Sequence, residues 1–290
     1  MGIITIFRGI IHHHPRRAFR GCQAFTLLEL LVVVAVIAIL ASLLLPVLNK
    51  GKRKAQGIYC LNNLRQLQMA WVMYAHDHAE SLPPNSDGEH AGTDPAHPAW
   101  VAGWLLTDSE TGSKYDSTNT DLLVGPHYAE FGSIGSYVQN SKIYRCPADK
   151  SMVTVNGVRY PRTRSMSMNT YMNGNGIWQS TEYVTFRKSG DMPNSSGLWV
   201  FIDEREDSIN DGCFGTDVPR TYGIVDYPAS YHNGAGGLAF ADGHSEYHRW
   251  LEPTTTPALN SGEHLPLGSK YTSWQDRDMA WLNARTTVKK

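Results

Sequence analysis

Asp203-Glu204-Arg205-Glu206-Asp207-Ser208-Ile209-Asn210-Asp211-Gly212 is the densest run of oxygen ligands in the chain. Side-chain oxygens gathered on a flexible loop suit calcium, which takes about six to eight of them. Asp203, Asp207, Asn210 and Asp211 are the candidate ligands. Their order differs from that of an EF-hand loop, so a solvated or salt-bridged loop is the alternative. His244, Glu246 and His248 alternate along one face of an extended segment and would offer two imidazoles and a carboxylate to zinc, or simply form a polar strand face. His232 and Asp242 make a third grouping, in which a hydrogen bond between them would lock a terminal hairpin. A catalytic pair there would need a serine or cysteine in a recognisable nucleophile setting, and none is found.

The chain has four cysteines, Cys22, Cys60, Cys146 and Cys213. Cys213 sits in a polar, glycine-rich stretch, so Cys60 with Cys146 is the favoured disulfide, against the alternative of reduced, buried thiols. Trp100, Trp104 and Trp178 lie in loop-like contexts where exposed rings would stack on sugars, whereas Trp71, Trp199 and Trp250 fit core positions. Walker A and Rossmann fingerprints are absent, which leaves nucleotide use without support. These groupings imply a non-enzymatic protein with calcium as the favoured candidate cofactor.

The elements that must position these residues begin with a helix. Ile58, Leu61, Leu64, Leu67, Trp71 and Tyr74 recur at helical spacing, with Asn62, Asn63, Arg65, Gln66 and Gln68 between them. This amphipathic segment would dock one face on a folded head and end at Leu82-Pro83-Pro84. Residues 85–142, rich in Gly, Pro, Ser, Thr and Asp, read as an insertion with little regular structure. Ile143 to Asp149 starts as a strand and stops at Pro147. Arg164 to Asn169 and Gly197 to Ile202 read as further strands, the second as a buried central one. Leu238 to Ala241 and His244 to Trp250, joined by Asp242-Gly243, form the clearest hairpin. The expected fold is α+β, with a mainly antiparallel sheet packed on the helix.

Upstream, the chain is apolar from Phe25 to Leu45, broken only by Thr26, Glu29 and Ser42. Extended to Val47, this is enough helix to cross about 30 Å of hydrocarbon. The small residue Ala24 precedes the apolar stretch, the reverse of a secretory signal peptide. Cleavage there would discard a basic leader and keep the membrane helix. Loss of Arg8, Arg16, Arg17 and Arg20 would leave 22 basic against 27 acidic residues, moving the net charge from -1 to -5. Such a chain is a poor nucleic-acid binder. Lys50, Lys52, Arg53 and Lys54 follow the span, so charge alone does not set its orientation. Glu29 would cost a few kcal/mol near the end of a lipid-facing helix unless a positive group compensates it. Pro46 would interrupt the helix by removing the partner of the Ser42 carbonyl.

Gln23-Ala24-Phe25-Thr26-Leu27-Leu28-Glu29-Leu30-Leu31 resembles the signal of type IV prepilins and type II secretion pseudopilins. That resemblance implies a cytoplasmic-face prepilin peptidase that cuts between Ala24 and Phe25 and methylates the new amine. It also implies that Glu29 meets the Phe25 amine of a neighbouring subunit, and that the helix melts around Pro46 during assembly. Cys60-Leu61-Asn62-Asn63-Leu64-Arg65-Gln66-Leu67, Cys146-Pro147-Ala148-Asp149, and His232 followed after nine residues by Asp242-Gly243 together resemble the large pseudopilin-like proteins of planctomycete and verrucomicrobial genomes. The layout implied is a leader at 1–24, a transmembrane helix at 25–48, an amphipathic stem at 49–80 and a head at 81–290. The resemblance also implies a structural subunit of a type II secretion pseudopilus or related filament, anchored once in the inner membrane with its head in the periplasm. Its partners would be other pilin or pseudopilin subunits, the prepilin peptidase and an inner-membrane assembly platform, with no nucleic acid. A filament-borne or membrane-anchored adhesin that binds glycans is the alternative.

Overall fold

The computed structural model describes residues 26–105, 113–218, 223–260, 264–265 and 276–290. Helix α1 covers Leu27–Asp77, and the chain divides into two compact units, 1–49 and 50–290.

In the first unit every residue from Thr26 to Asn49 is exposed, although the helix is made almost wholly of Leu, Val, Ile and Ala. α1 is long and apolar enough to cross a membrane. Contrary to the expected interruption, the helix continues through Pro46. A single proline removes one backbone bond, and the bonds on either side persist.

In the second unit, the part of α1 from Lys50 onward lies against a five-stranded sheet. Its buried face is Gly57, Cys60, Leu64, Leu67, Trp71 and Tyr74. The expected stripe is therefore rotated at its start, where Ile58 is 63 % exposed, while Leu61 is partly buried against the core. Successive spacings of three drift off a helix face, because 3.6 residues per turn requires threes and fours to alternate.

The strands are β1 (Met152–Val155), β2 (Val158–Pro161), β3 (Met166–Asn169), β4 (Trp199–Asp203), β5 (Cys213–Phe214), β6 (Ala235–Phe240) and β7 (Ser245–Arg249). β1 and β2 form a separate antiparallel hairpin, while the main sheet runs β5-β3-β4-β6-β7. All pairings in that sheet are antiparallel except β3 with β5. β4 is central, as its apolar composition implies, and every residue in it is buried.

Side-chain alternation divides the sheet into two faces. Met166, Met168, Phe201 and Ala239 join the α1 residues in one core. Ile202, Leu238, Phe240 and Trp250 form a second core with Met279 and Leu282 of the carboxy-terminal helix, residues Arg277–Asn283. On β7, Ser245 Oγ donates to the Leu61 carbonyl (3.0 Å) and Tyr247 Oη to the Gly57 carbonyl. Gly237 permits the close approach of α1, since a Cβ there would lie 2.7 Å from Leu64 Cδ1.

The β6–β7 connection departs from a two-residue Asp-Gly turn. Gly243 N donates to the Phe240 carbonyl (2.9 Å), and only Gly243 takes a positive φ, +96°. The loop is therefore Ala241-Asp242-Gly243, a turn closed by a left-handed glycine.

Among its described residues, the segment 85–142 holds three one-turn α-helices (Ser113–Asp116, Asp121–Val124, Gly135–Val138) rather than long regular elements, and Trp100, Val101, Leu123 and Ile134 enter the α1-side core. Ile143 to Asp149 is likewise not a strand. Asn140 caps a 3-10 turn at Ser141–Tyr144 through Lys142 N, and the ion pair Arg145–Asp149 (2.8 Å) closes the loop that follows.

Candidate functional site

Two places carry chemistry, one in each unit. In the first, Thr26 and Glu29 form a reciprocal capping box at the start of α1. Glu29 N donates to Thr26 Oγ1 (3.2 Å), while Thr26 N and Thr26 Oγ1 both donate to Glu29 Oε2 (2.9 Å each). The Thr-x-x-Glu pattern before an apolar run is the sequence signal for this arrangement, and it is a local role for Glu29 that the charge argument alone does not reveal. Glu29 thus has a local role in starting the helix. Its carboxylate also remains exposed at the edge of an apolar surface. Ala24 and Phe25 lie outside the described residues, as does Cys22.

The second place brings together side chains from four distant segments. Cys60 projects from α1 toward the sheet. Cys146 is held beside it because Asn63 Nδ2 donates to the Arg145 carbonyl and Gln56 Nε2 to the Pro147 carbonyl, each at 3.0 Å. Asp203 ends β4 two residues after Phe201, on the α1-facing side. His232 lies in the turn that leads into β6, just before Asn233-Gly234, where both residues take positive φ (60° and 80°), and the β6–β7 ladder begins three residues later at Ala235.

Ligand atoms of Cys60, Cys146, Asp203 and His232 all lie within 4.8 Å of one another. Cys146 Sγ is 3.1 Å from His232 Nε2, and Cys60 Sγ is 3.9 Å from Asp203 Oδ2. The first three residues are buried and His232 is half-buried. Ser165 Oγ donates to Asp203 Oδ1 (2.7 Å) and accepts from Cys146 N (2.9 Å), while Ala148 N donates to Cys146 Sγ (3.4 Å). Tyr247 packs its ring on that of His232, with centroids 4.7 Å apart.

The electrostatics of the four are shared. Burial, with the neighbouring Cys146, holds the Asp203 carboxyl well above the usual carboxylate range. Burial and the adjacent Cys60 push the Cys146 thiol up. At Cys60 the Cys146 thiol favours the thiolate, but burial and the Asp203 charge outweigh it, so this thiol is also raised. Burial lowers the His232 imidazole. All three residues with an acidic proton thus favour keeping it, and the imidazole favours being neutral.

The other sequence candidates fall elsewhere. Asp242 Oδ1 accepts from His244 N (3.1 Å) and contacts His244 Nδ1 (2.6 Å), so it is His244, not His232, that partners Asp242. His248 stacks on Trp281 at 3.6 Å, on the face of the sheet away from α1. Of the acidic loop, only Asp203 reaches the four-residue cluster. Asp207 is paired with Arg205 Nη2 (2.7 Å) and accepts from Asn260 N. Asp211 accepts from Gly88 N (2.6 Å) and Cys213 N (2.7 Å), and burial pushes its carboxyl up to about 7. Asn210 Oδ1 accepts from Asp211 N (2.8 Å). These carboxylates and the amide brace the turns of the loop and tie it to the segments at Gly88 and Asn260. Among the described residues, the Cys60 cluster is the only group of three or more His, Cys, Asp or Glu side chains close enough to share an ion.

Cys60 and Cys146, the favoured disulfide partners, are neighbours here as free thiols. Trp100 is fully buried and donates from Nε1 to the Gly212 carbonyl (2.8 Å), which removes it from the exposed tryptophans. Trp104 and Trp178 are half-buried.

Compared with known proteins, residues 19–45 match the family described as the prokaryotic N-terminal methylation motif. No curated protein and no solved structure matches the chain.

Proposed function

From the methylation motif at residues 19–45 and the exposed apolar helix that follows it, we infer that this chain is a structural subunit of a pilin-type filament. The specific assignment is a type II secretion pseudopilus or a related type IV-like filament. A prepilin peptidase cuts before Phe25 and methylates it. The mature chain stays anchored once in the inner membrane, with its head in the periplasm, until an assembly platform draws it into the filament.

The observation that carries this reading is the placement of the motif at the beginning of a helix whose apolar side chains are exposed among the described residues. Leu30 to Leu45 are exposed throughout. Such a surface is stable in lipid, or packed against other copies of the same helix, but not in water. The α+β head supports the same reading, because its sheet packs on the continuation of α1 and so ties the exterior of a subunit to its anchor.

The test is fractionation of envelopes from cells with and without the assembly ATPase of the filament system. The chain is expected with sheared filament material only when the ATPase is present, and with the membrane pellet when it is absent. An identical membrane-bound distribution in both strains would contradict filament assembly.

A further inference from the structure

We propose that Cys60, Cys146, Asp203 and His232 bind one tetrahedral transition-metal ion of the zinc class, which clasps the stem part of α1 to the sheet and loops of the head. The inference does not depend on the filament reading, because it rests on residues of the second unit alone.

The spacing carries the argument. Zinc bonds of about 2.3 Å to sulfur and about 2.0–2.1 Å to nitrogen or oxygen place tetrahedral ligand atoms about 3.3–3.8 Å apart. The separations of 3.1 Å for Cys146 with His232 and 3.9 Å for Cys60 with Asp203 lie on either side of that range, and all four atoms fall within 4.8 Å. Two sulfurs, an imidazole and one carboxylate oxygen are a ligand set for zinc and its relatives. Calcium, which needs about six to eight oxygens, does not suit it.

The surroundings are built in the same sense. Ser165 occupies Asp203 Oδ1, which leaves Oδ2 as the oxygen turned toward the sulfurs. Ala148 N donates to Cys146 Sγ, a bond that favours thiolate over thiol. Tyr247 backs the imidazole ring. Such outer partners orient ligands around an ion. Four protein ligands, three of them buried, complete a tetrahedron and leave no open position, so the ion is structural. Coordination displaces the protons of both thiols and of the carboxyl group to solvent.

Its position explains what it does. The four ligands come from α1, from the loop after Tyr144, from the end of β4 and from the turn before β6. These segments otherwise meet through apolar contacts and hydrogen bonds such as those of Asn63 and Gln56 to the Arg145 and Pro147 carbonyls. One ion joins residues 143 and 86 positions apart in the chain.

The experiment uses the full chain, purified from native membranes in mild detergent. Elemental analysis is expected to find one zinc per chain. Replacement of zinc by Co2+ is expected to give the sulfur-to-cobalt charge-transfer band and the intense visible bands of a tetrahedral thiolate site. Ser165→Ala, which leaves all four ligands in place, should weaken zinc binding by about 10–100-fold. Alkylation under denaturing conditions followed by mass spectrometry should find Cys60 and Cys146 both as thiols. A Cys60–Cys146 disulfide in the native protein would overturn the proposal. So would a protein with both thiols free that takes up neither zinc nor cobalt, or one that binds calcium in their place.

Discussion

Replacing Glu29 with alanine is expected to reduce filament incorporation by about a hundredfold, from the loss of a compensated charge worth about 2.5–3.5 kcal/mol at an apolar interface, while membrane insertion is unchanged. The carboxylate has two roles that must be separated. It closes the capping box with Thr26, and in the filament it would neutralise the Phe25 amine of a neighbouring subunit. Glutamine can serve as the third-position partner of a capping box but carries no charge. Glu29→Gln should therefore be nearly as defective as Glu29→Ala if the charge is what matters. Thr26→Ala should cost only the helix cap, about 1 kcal/mol, and leave assembly largely intact. Quantitative blotting of the sheared fraction against the membrane fraction reads all three variants. Normal incorporation of Glu29→Gln would restrict Glu29 to the helix cap and dismiss the intersubunit pairing.

Trp100→Ala should destabilise the head by about 3–5 kcal/mol, a large part of the stability of an ordinary domain. The ring is fully buried, lies 5.8 Å from Tyr144 in a stacked pair, and meets Phe201 edge-on at 4.8 Å. Its removal leaves a cavity and also strands the Gly212 carbonyl that accepts from Nε1. Denaturant unfolding of the detergent-solubilised full chain, followed by near-UV circular dichroism, measures the change. An unaltered unfolding midpoint would mean that Trp100 is not a core residue and would return it to the glycan-binding alternative. Without Trp100, that alternative retains only two half-buried rings, Trp104 and Trp178, among the tryptophans that suggested it.

What could be read from the sequence depended on how local its cause is. The central strand β4 is legible because five consecutive bulky apolar residues from Leu198 to Ile202 have no other comfortable environment. The β6–β7 hairpin is legible because Asp242-Gly243 punctuates two alternating segments, although its loop uses one more residue than the dipeptide suggests. Two further local signals lie in the sequence. Asn156-Gly157, with φ of 50° and 78°, makes the β1–β2 turn, and Thr26 with Glu29 makes the cap of α1. The α1 stripe departs from the expected one at Ile58, which is exposed, whereas Leu61 is partly buried against the core. Helical geometry turns the smaller Gly57 and Cys60 fully inward, where β7 and Gly237 come close.

The four-residue cluster was out of reach for a different reason. Cys60 and Asp203 are 143 positions apart and Cys146 and His232 are 86, and no spacing rule links them. Only the register of β4, the turn at Asn233-Gly234 and the docking of loop 145–147 on α1 make them neighbours. The acidic run stands out for its density, yet Asp207 and Asp211 are taken up by Arg205 and by backbone donors of the loop and of the neighbouring segments at Gly88 and Asn260. Composition alone cannot distinguish a loop that gathers oxygens around an ion from one that gathers them around its own backbone donors.

The most direct test of the account is the chemistry of the amino terminus. Intact and amino-terminal peptide mass spectrometry should be carried out on the protein from native envelopes, in cells with and without the prepilin peptidase. The account predicts a chain that begins at N-methylated Phe25 when the peptidase is present and that keeps residues 1–24 when it is absent. A leader retained in both strains would contradict entry into the pilin pathway and leave a static, membrane-anchored protein.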